Sequence, residues 1–402
     1  MRSLAFLFLL PVCFAAEPDA LAISATIQGR HVPYGTILDP IFAAADSDQI
    51  AGYTRCGDSA IWTGHYLAAE AFRYKVTGSA DALANAQGAI AGLTLLTDVT
   101  GTNLLARCAV PMDSPYLASI VQQEAANGSY LGSSSNGTAY TWIGNTSRDQ
   151  YIGAFFGLCV AYDMITDAPT RAQISSVVTR LLDNLIDHAW TVVLPGPSVS
   201  TTFVARPDQQ LTFLQIGRHI NSKYNAGYSA MAALAPSVSA PIAIDCDDTH
   251  DSYFKFNLDY ISFYHLIGLE SSSIRKFFYT EAYDILRNTT GTHLNAHFDA
   301  IDRSIRGPNA GRDYDTRNFL DQWLTRPRRD PYVNNTGVYP SCGSSGTEAC
   351  NPIPVPNRVP TDFLWQRDPF QLAGGGEGTI EGAGIDYILP YWMARYYGVE
   401  TQ

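Results

Sequence analysis

A chain of 402 residues that is 46% apolar and only 16% charged has ample material for a hydrophobic core, which excludes a disordered protein. Its formal net charge is −12 and no Lys/Arg stripe offsets it, which argues against nucleic acid as a partner. Aromatic residues make up 12% of the chain, with 23 tyrosines, a supply that suits both sugar-binding clefts and large helical cores.

The chain opens with "MRSLAFLFLLPVCFAAEPDA". Arg2 supplies a positive start, Leu4 to Val12 a short apolar run, and Ala15 and Ala16 a small-residue cleavage point. Residues 1–16 therefore read as a secretory signal peptide, too short to span a membrane stably. Val12 is bulky where a lipoprotein signal has a small residue, so lipidation is not expected. No second apolar run of spanning length follows, and the mature protein is expected to be secreted, periplasmic or extracellular, without membrane attachment. Residues 17–50 read as an N-terminal extension and 51–402 as a single domain.

Beyond the signal six cysteines remain: Cys56, Cys108, Cys159, Cys246, Cys342 and Cys350. An even number in an oxidising compartment permits disulfides without setting their connectivity. Cys342 and Cys350 bracket a Gly/Ser-rich loop they could close. Cys56 and Cys108 flank the first helix pair and could meet. Cys159 lies in an apolar helix and reads as a buried thiol. No Cys/His spacing matches a zinc site, and neither a metal nor a cofactor is expected.

Helical periodicity dominates from residue 58 onward. "DSAIWTGHYLAAEAFRYKV" places Ile61, His65, Ala68, Ala69 and Phe72 on one helical face. Thr77-Gly78-Ser79 stops this helix and starts the next, over 80–99. The pattern returns at 148–165 with 170–193, 209–220 with 222–235, 251–269 with 272–288, and 293–305 with 315–324. A last helix is expected over 385–398. Short turns between successive helices imply antiparallel hairpins. Two long stretches rich in Gly, Ser and Pro, 107–147 and 326–384, read as irregular rims or lids. Together these predict an all-α fold: a six-hairpin (α/α) toroid with long loops over one mouth.

"CGDSAIWTGHYLAAEAFRYKVTGSADALANAQGAIAGLTLLTDVTG" with "LLARC", "WIGNTSRDQYIGAFFGLCVAYDMI" and "GGGEGTIEGAGIDYILPYWMARYYG" resembles secreted bacterial six-hairpin toroid proteins of unsettled activity. "SRDQYIG" is more distantly similar to the arginine-containing helix start of unsaturated glucuronyl hydrolases. This resemblance spans roughly residues 50–398. It implies the toroid fold and, by analogy, glycan chemistry, since such folds host hydrolases, lyases and epimerases.

Asp58 and Asp149 each sit in the first turn of an expected inner helix. Two carboxylates facing a sugar supply an acid and a base, or an acid and a nucleophile. The structural alternative is helix capping by either Asp, or by Ser147 at the second helix. His65, two turns after Asp58, is a candidate acid or base, or else a hydrogen-bonded core residue. Arg55, Arg107 and Arg148 fall near the same mouth, where a guanidinium grips a carboxylate or sulfate in bidentate fashion. Trp62, Tyr151, His297, Trp365 and Arg367 complete the candidate substrate-binding set, each with a packing or ion-pair alternative.

Three further segments carry residue types suited to chemistry. His219, Asn221 and Tyr224 are residue types for a lyase, but the segment also reads as a turn between helices. His293 and His297 stand i, i+4 without an HExxH pattern. "DCDDTHD" at 245–251 offers oxygen ligands for calcium but lacks the EF-hand spacing and glycine. The expected function is a secreted glycoside hydrolase acting on an acidic, uronic or sulfated oligo- or polysaccharide. The alternatives are a polysaccharide lyase on the same fold and a non-catalytic glycan-binding scaffold.

Overall fold

The computed structural model describes residues 16–196, 198–247, 253–339 and 351–400. All of the expected signal peptide but Ala16 lies outside these residues, as do Cys342, Cys350, Asp248 and Asp251. The chain begins with α1 (Glu17–Thr26), β1 (Asp39–Phe42), β2 (Ile50–Thr54), α2 (Ser59–Thr77) and α3 (Ala80–Asp98). Then come β3 (Cys108–Pro111), α4 (Leu117–Gln123), β4 (Ser129–Ser133), β5 (Ala139–Ile143), α5 (Arg148–Met164) and α6 (Ala168–Asp187). A short hairpin, β6 (Thr191–Leu194) and β7 (Ser198–Thr202), leads into α7 (Pro207–Ile220), α8 (Asn225–Met231) and α9 (Ser239–Asp247). The rest is α10 (Phe254–Gly268), α11 (Ser273–Thr290), α12 (Ala296–Arg306), α13 (Ala310–Trp323), β8 (Arg329–Asn334), β9 (Ala373–Glu381) and α14 (Ile385–Tyr396).

The expected helical hairpins form where turn chemistry is local. Gly78 ends α2 in the left-handed region at φ 67°, donating to Tyr74 O at 2.8 Å, and the Ser79 hydroxyl accepts from Ala82 N to start α3. Asp167 does the same for α6, accepting from Thr170 N at 2.9 Å. The centre of the molecule is the crossing of α2 and α5. A Cβ on Gly64 would stand 2.0 Å from Gly153 O, and one on Gly157 would stand 2.1 Å from Gly64 O. These glycines bring two backbones into direct contact. Both helices are buried on nearly all sides, Ser59 to Arg73 and Gln150 to Ala161, as fits helices enclosed by α3, α7, α10 and α14.

The all-α expectation is overturned. The structure is 58% helix and 13% strand, and its three antiparallel sheets make it a mixed α/β fold rather than an all-α toroid. The sheets run in the orders β2-β1-β9-β8, β3-β5-β4 and β6-β7. Most of the missed strands lie in the two stretches read as irregular. One contact is remote: β1 meets β9 at Ile41↔Ile380, near opposite ends of the chain. The glycines of β9 permit close approach instead of marking a loop. A Cβ on Gly375 would lie 2.4 Å from Pro331 O of β8. Residues 17–50 also join this body, with Ile23 and Ile27 in the main core and β1 inside the four-stranded sheet. Among the described residues, no single helix is long and apolar enough to cross a membrane.

Candidate active site

Two helix starts, from α2 and α5, are held side by side. Arg55 in the left-handed region (φ 61°) turns the chain into Cys56–Asp58, and Cys56 is disulfide-bonded to Cys108. The neighbouring Arg107 donates to Gly57 O at 2.6 Å and to Asn145 O at 2.8 Å, so one guanidinium spans the entries to both helices. Gln150 completes the join. Its Oε1 accepts from Ile61 N at 3.0 Å and its Nε2 donates to Asp58 Oδ1 at 3.1 Å. Nothing local in the sequence distinguishes Gln150 as a buried tie from an ordinary polar first turn.

These starts open onto a cavity of about 380 Å³ lined by Asp58, Arg107, Arg148 and Asp149 together with residues of α7, α9 and α10. Four of the candidate residues therefore share one cavity. Capping does not account for them. Asp58 precedes α2 and Ser147 precedes α5, yet neither side chain accepts a hydrogen bond from its helix. Arg148 and Asp149 have no hydrogen bond or ion pair among the described residues.

Asp58 is the perturbed carboxyl of the set. Burial raises it to about 6, Arg107 with Nη1 at 3.6 Å pulls it down, and the negative charges of Asp149 and Asp362 push it up. Its side chain is 37% accessible, while protein surrounds it closely on the remaining sides. The low-dielectric surroundings decide the direction, because a charge senses them well beyond its own surface.

The deeper wall was not anticipated. Arg206, which precedes α7, bonds Asp208 at 2.7 Å, Asp259 at 3.1 Å and also Asp245. Burial raises Asp259 far above the usual carboxylate range and also raises Asp208, against the pull of Arg206. Asp245, from the acidic "DCDDTHD" stretch, is paired with Arg206 and lies 3.7 Å from Lys255. Sequence could not assemble this cluster, because its members come from three separate helices.

The remaining candidates lie elsewhere. His65 is fully buried, with Nδ1 on Ile61 O at 2.9 Å and Nε2 beside Asn257, and burial lowers it to about 4. It belongs to a packed group with Trp62, Trp365 and His297 in which rings stand 4.8–6.2 Å apart. Tyr151 is buried, its hydroxyl accepting from Leu105 N at 3.2 Å. Arg55 and Arg367 both grip Asp362, at 3.2 Å and 2.8 Å, and Arg55 also holds Asp39 at 2.8 Å. The lyase set lies outside the cavity lining and is engaged with its own neighbours. His219 pairs with Asp163 at 2.6 Å, Asn221 accepts from Lys223 N, and the Tyr224 hydroxyl is directed at Thr179 O and Asp183.

No family model, curated protein or solved structure matches this chain.

Proposed function

We propose that this cavity hydrolyses glycosidic bonds in an anionic glycan by carboxylate acid/base chemistry. The observation that carries the reading is the pair Asp58 and Asp149 in one cavity. Asp58, raised to about 6, holds its proton into the weakly acidic range and is the acid that protonates the leaving oxygen. Asp149 is the partner that activates water or attacks the anomeric carbon. Arg148, without a partner among the described residues, receives the carboxylate or sulfate of the substrate. Arg107 is fastened to Gly57 and Asn145 and serves to position Asp58.

The test is reducing-end release from uronic-acid and sulfated oligosaccharides. Asp58→Asn and Asp149→Asn are each expected to lower turnover by about 10²–10⁴-fold while melting temperature is retained. Products that absorb at the ultraviolet edge would mark elimination instead. Binding without turnover in the wild-type protein would mark a glycan-binding scaffold.

A further inference from the structure

The cavity's deep wall carries oxygens with nothing to bond. Gln209 Oε1 and Asp259 Oδ2 have no hydrogen-bond partner among the described residues, and their side chains belong to residues only 2% and 1% exposed. A buried acceptor left unpaired is costly, so two on one cavity wall point to a donor supplied by a ligand. The local charges indicate which donor. Among the described residues three carboxyls, Asp208, Asp245 and Asp259, face two cations, Arg206 and Lys255. With all three ionised, one negative charge is in surplus.

We propose that this wall is a subsite for a primary ammonium group, so that the ligand is a glycan joining a free-amine sugar to the anionic residue received by Arg148. An ammonium has three donors and no acceptor, the complement of a wall of unpartnered oxygens. Its charge cancels the surplus carboxylate, which a neutral hydroxyl leaves uncompensated. Burial raises Asp259, Arg206 opposes this, and the charges of Asp245 and Asp208 add to it. An ammonium beside these carboxyls works in the same sense as Arg206. A divalent cation fits less well, because Arg206 and Lys255 already occupy the same carboxylates and repel it. The subsite rests on the cavity being the glycan site described above, and not on hydrolysis occurring there.

The test is isothermal titration of the full-length chain carrying Asp149→Asn, which suppresses turnover, with the free-amine glucosamine trimer and with cellotriose. These probes differ by amine against hydroxyl. The glucosamine trimer is expected to bind at least about tenfold more tightly. Because the protein is acidic overall, a cation could gather on any face. Gln209→Met therefore serves as the discriminating variant, since it keeps volume and net charge. It is expected to cut the preference to about threefold or less, with an unchanged melting temperature. Equal affinity for the two trimers, or an undiminished preference in Gln209→Met, overturns the subsite. Turnover of a uronic-acid oligosaccharide with equal trimer affinities would sink the subsite alone. A clear amine preference with no turnover on any glycan would sink the hydrolase reading alone.

Discussion

Arg107 Nη1 stands 3.6 Å from Asp58 Oδ1, and the Cys56–Cys108 disulfide joins the chain directly beside both residues. The most perturbed acid of the cavity mouth and the cation that moderates it are thus held on one covalent cross-link. Three consequences follow from this junction and its surroundings, and a fourth from a buried histidine.

Asp58 reports its neighbours' charges. Burial raises it to about 6, Arg107 opposes this and Asp149 adds to it. Arg107→Met is expected to move the Asp58 titration above about 6, and Asp149→Asn to move it below. Carboxyl-carbon NMR across an acid titration reads both. A shift of the same sign in both variants would contradict the charge assignment.

The disulfide closes a segment with a sequence separation of 52. In the chain-entropy description such a cross-link contributes about 4 kcal/mol, and measured losses run at about 2–5 kcal/mol. The double variant Cys56→Ser/Cys108→Ser is expected to lose stability within that range in urea unfolding. Because the cross-link holds Arg107 against Asp58, the Asp58 titration should broaden or shift in the same protein. An unchanged unfolding midpoint would show that packing alone secures the junction.

Glycine substitutions separate close approach from mere helical propensity. Gly157→Ala would place a Cβ 2.1 Å from Gly64 O and push α5 off α2, at a cost of about 1–3 kcal/mol or more. It should also weaken ligand binding, because α2 and α5 carry Asp58 and Asp149 at their starts. Gly88→Ala, on α3 with open space around it, should stabilise by about 0.4–1 kcal/mol. Comparable effects from the two changes in thermal unfolding would refute the backbone contact.

His31 is fully buried between Asp39 and Glu381, each 3.4 Å from a ring nitrogen. Burial works against its charge, but the two carboxylates outweigh it and raise the imidazole above its ordinary value. A histidine raised in the folded state contributes stability that is present below its unfolded value. That contribution is lost as pH rises through the folded value. Urea unfolding of the wild type should therefore decline relative to His31→Gln from about pH 6.5 upward. A constant difference between the two proteins across that window would count against a charged His31.

Much of the helical framework was legible because its signals are local. The Thr77-Gly78-Ser79 turn and the Asp167 cap act within four residues of themselves. The strands were not legible. β1 joins the nearby β2 to β9 from near the opposite end of the chain, and the glycines that admit β8 against β9 look like loop residues when read singly. Of the candidate site, Asp58, Arg107, Arg148 and Asp149 line one cavity, whereas His65, Trp62 and Trp365 share helical spacing or lid position with it but face a packed interior.

By itself the sequence determined where helices begin, which faces are apolar and that two acids stand at helix starts, since these follow from periodicity and turn chemistry. Only the tertiary structure decided which acids share a cavity, and it added Gln150, Gln209 and the Arg206 cluster. Charges and hydrogen bonds act through space, and contacts such as Gln150 to Asp58 exist only after distant segments have packed.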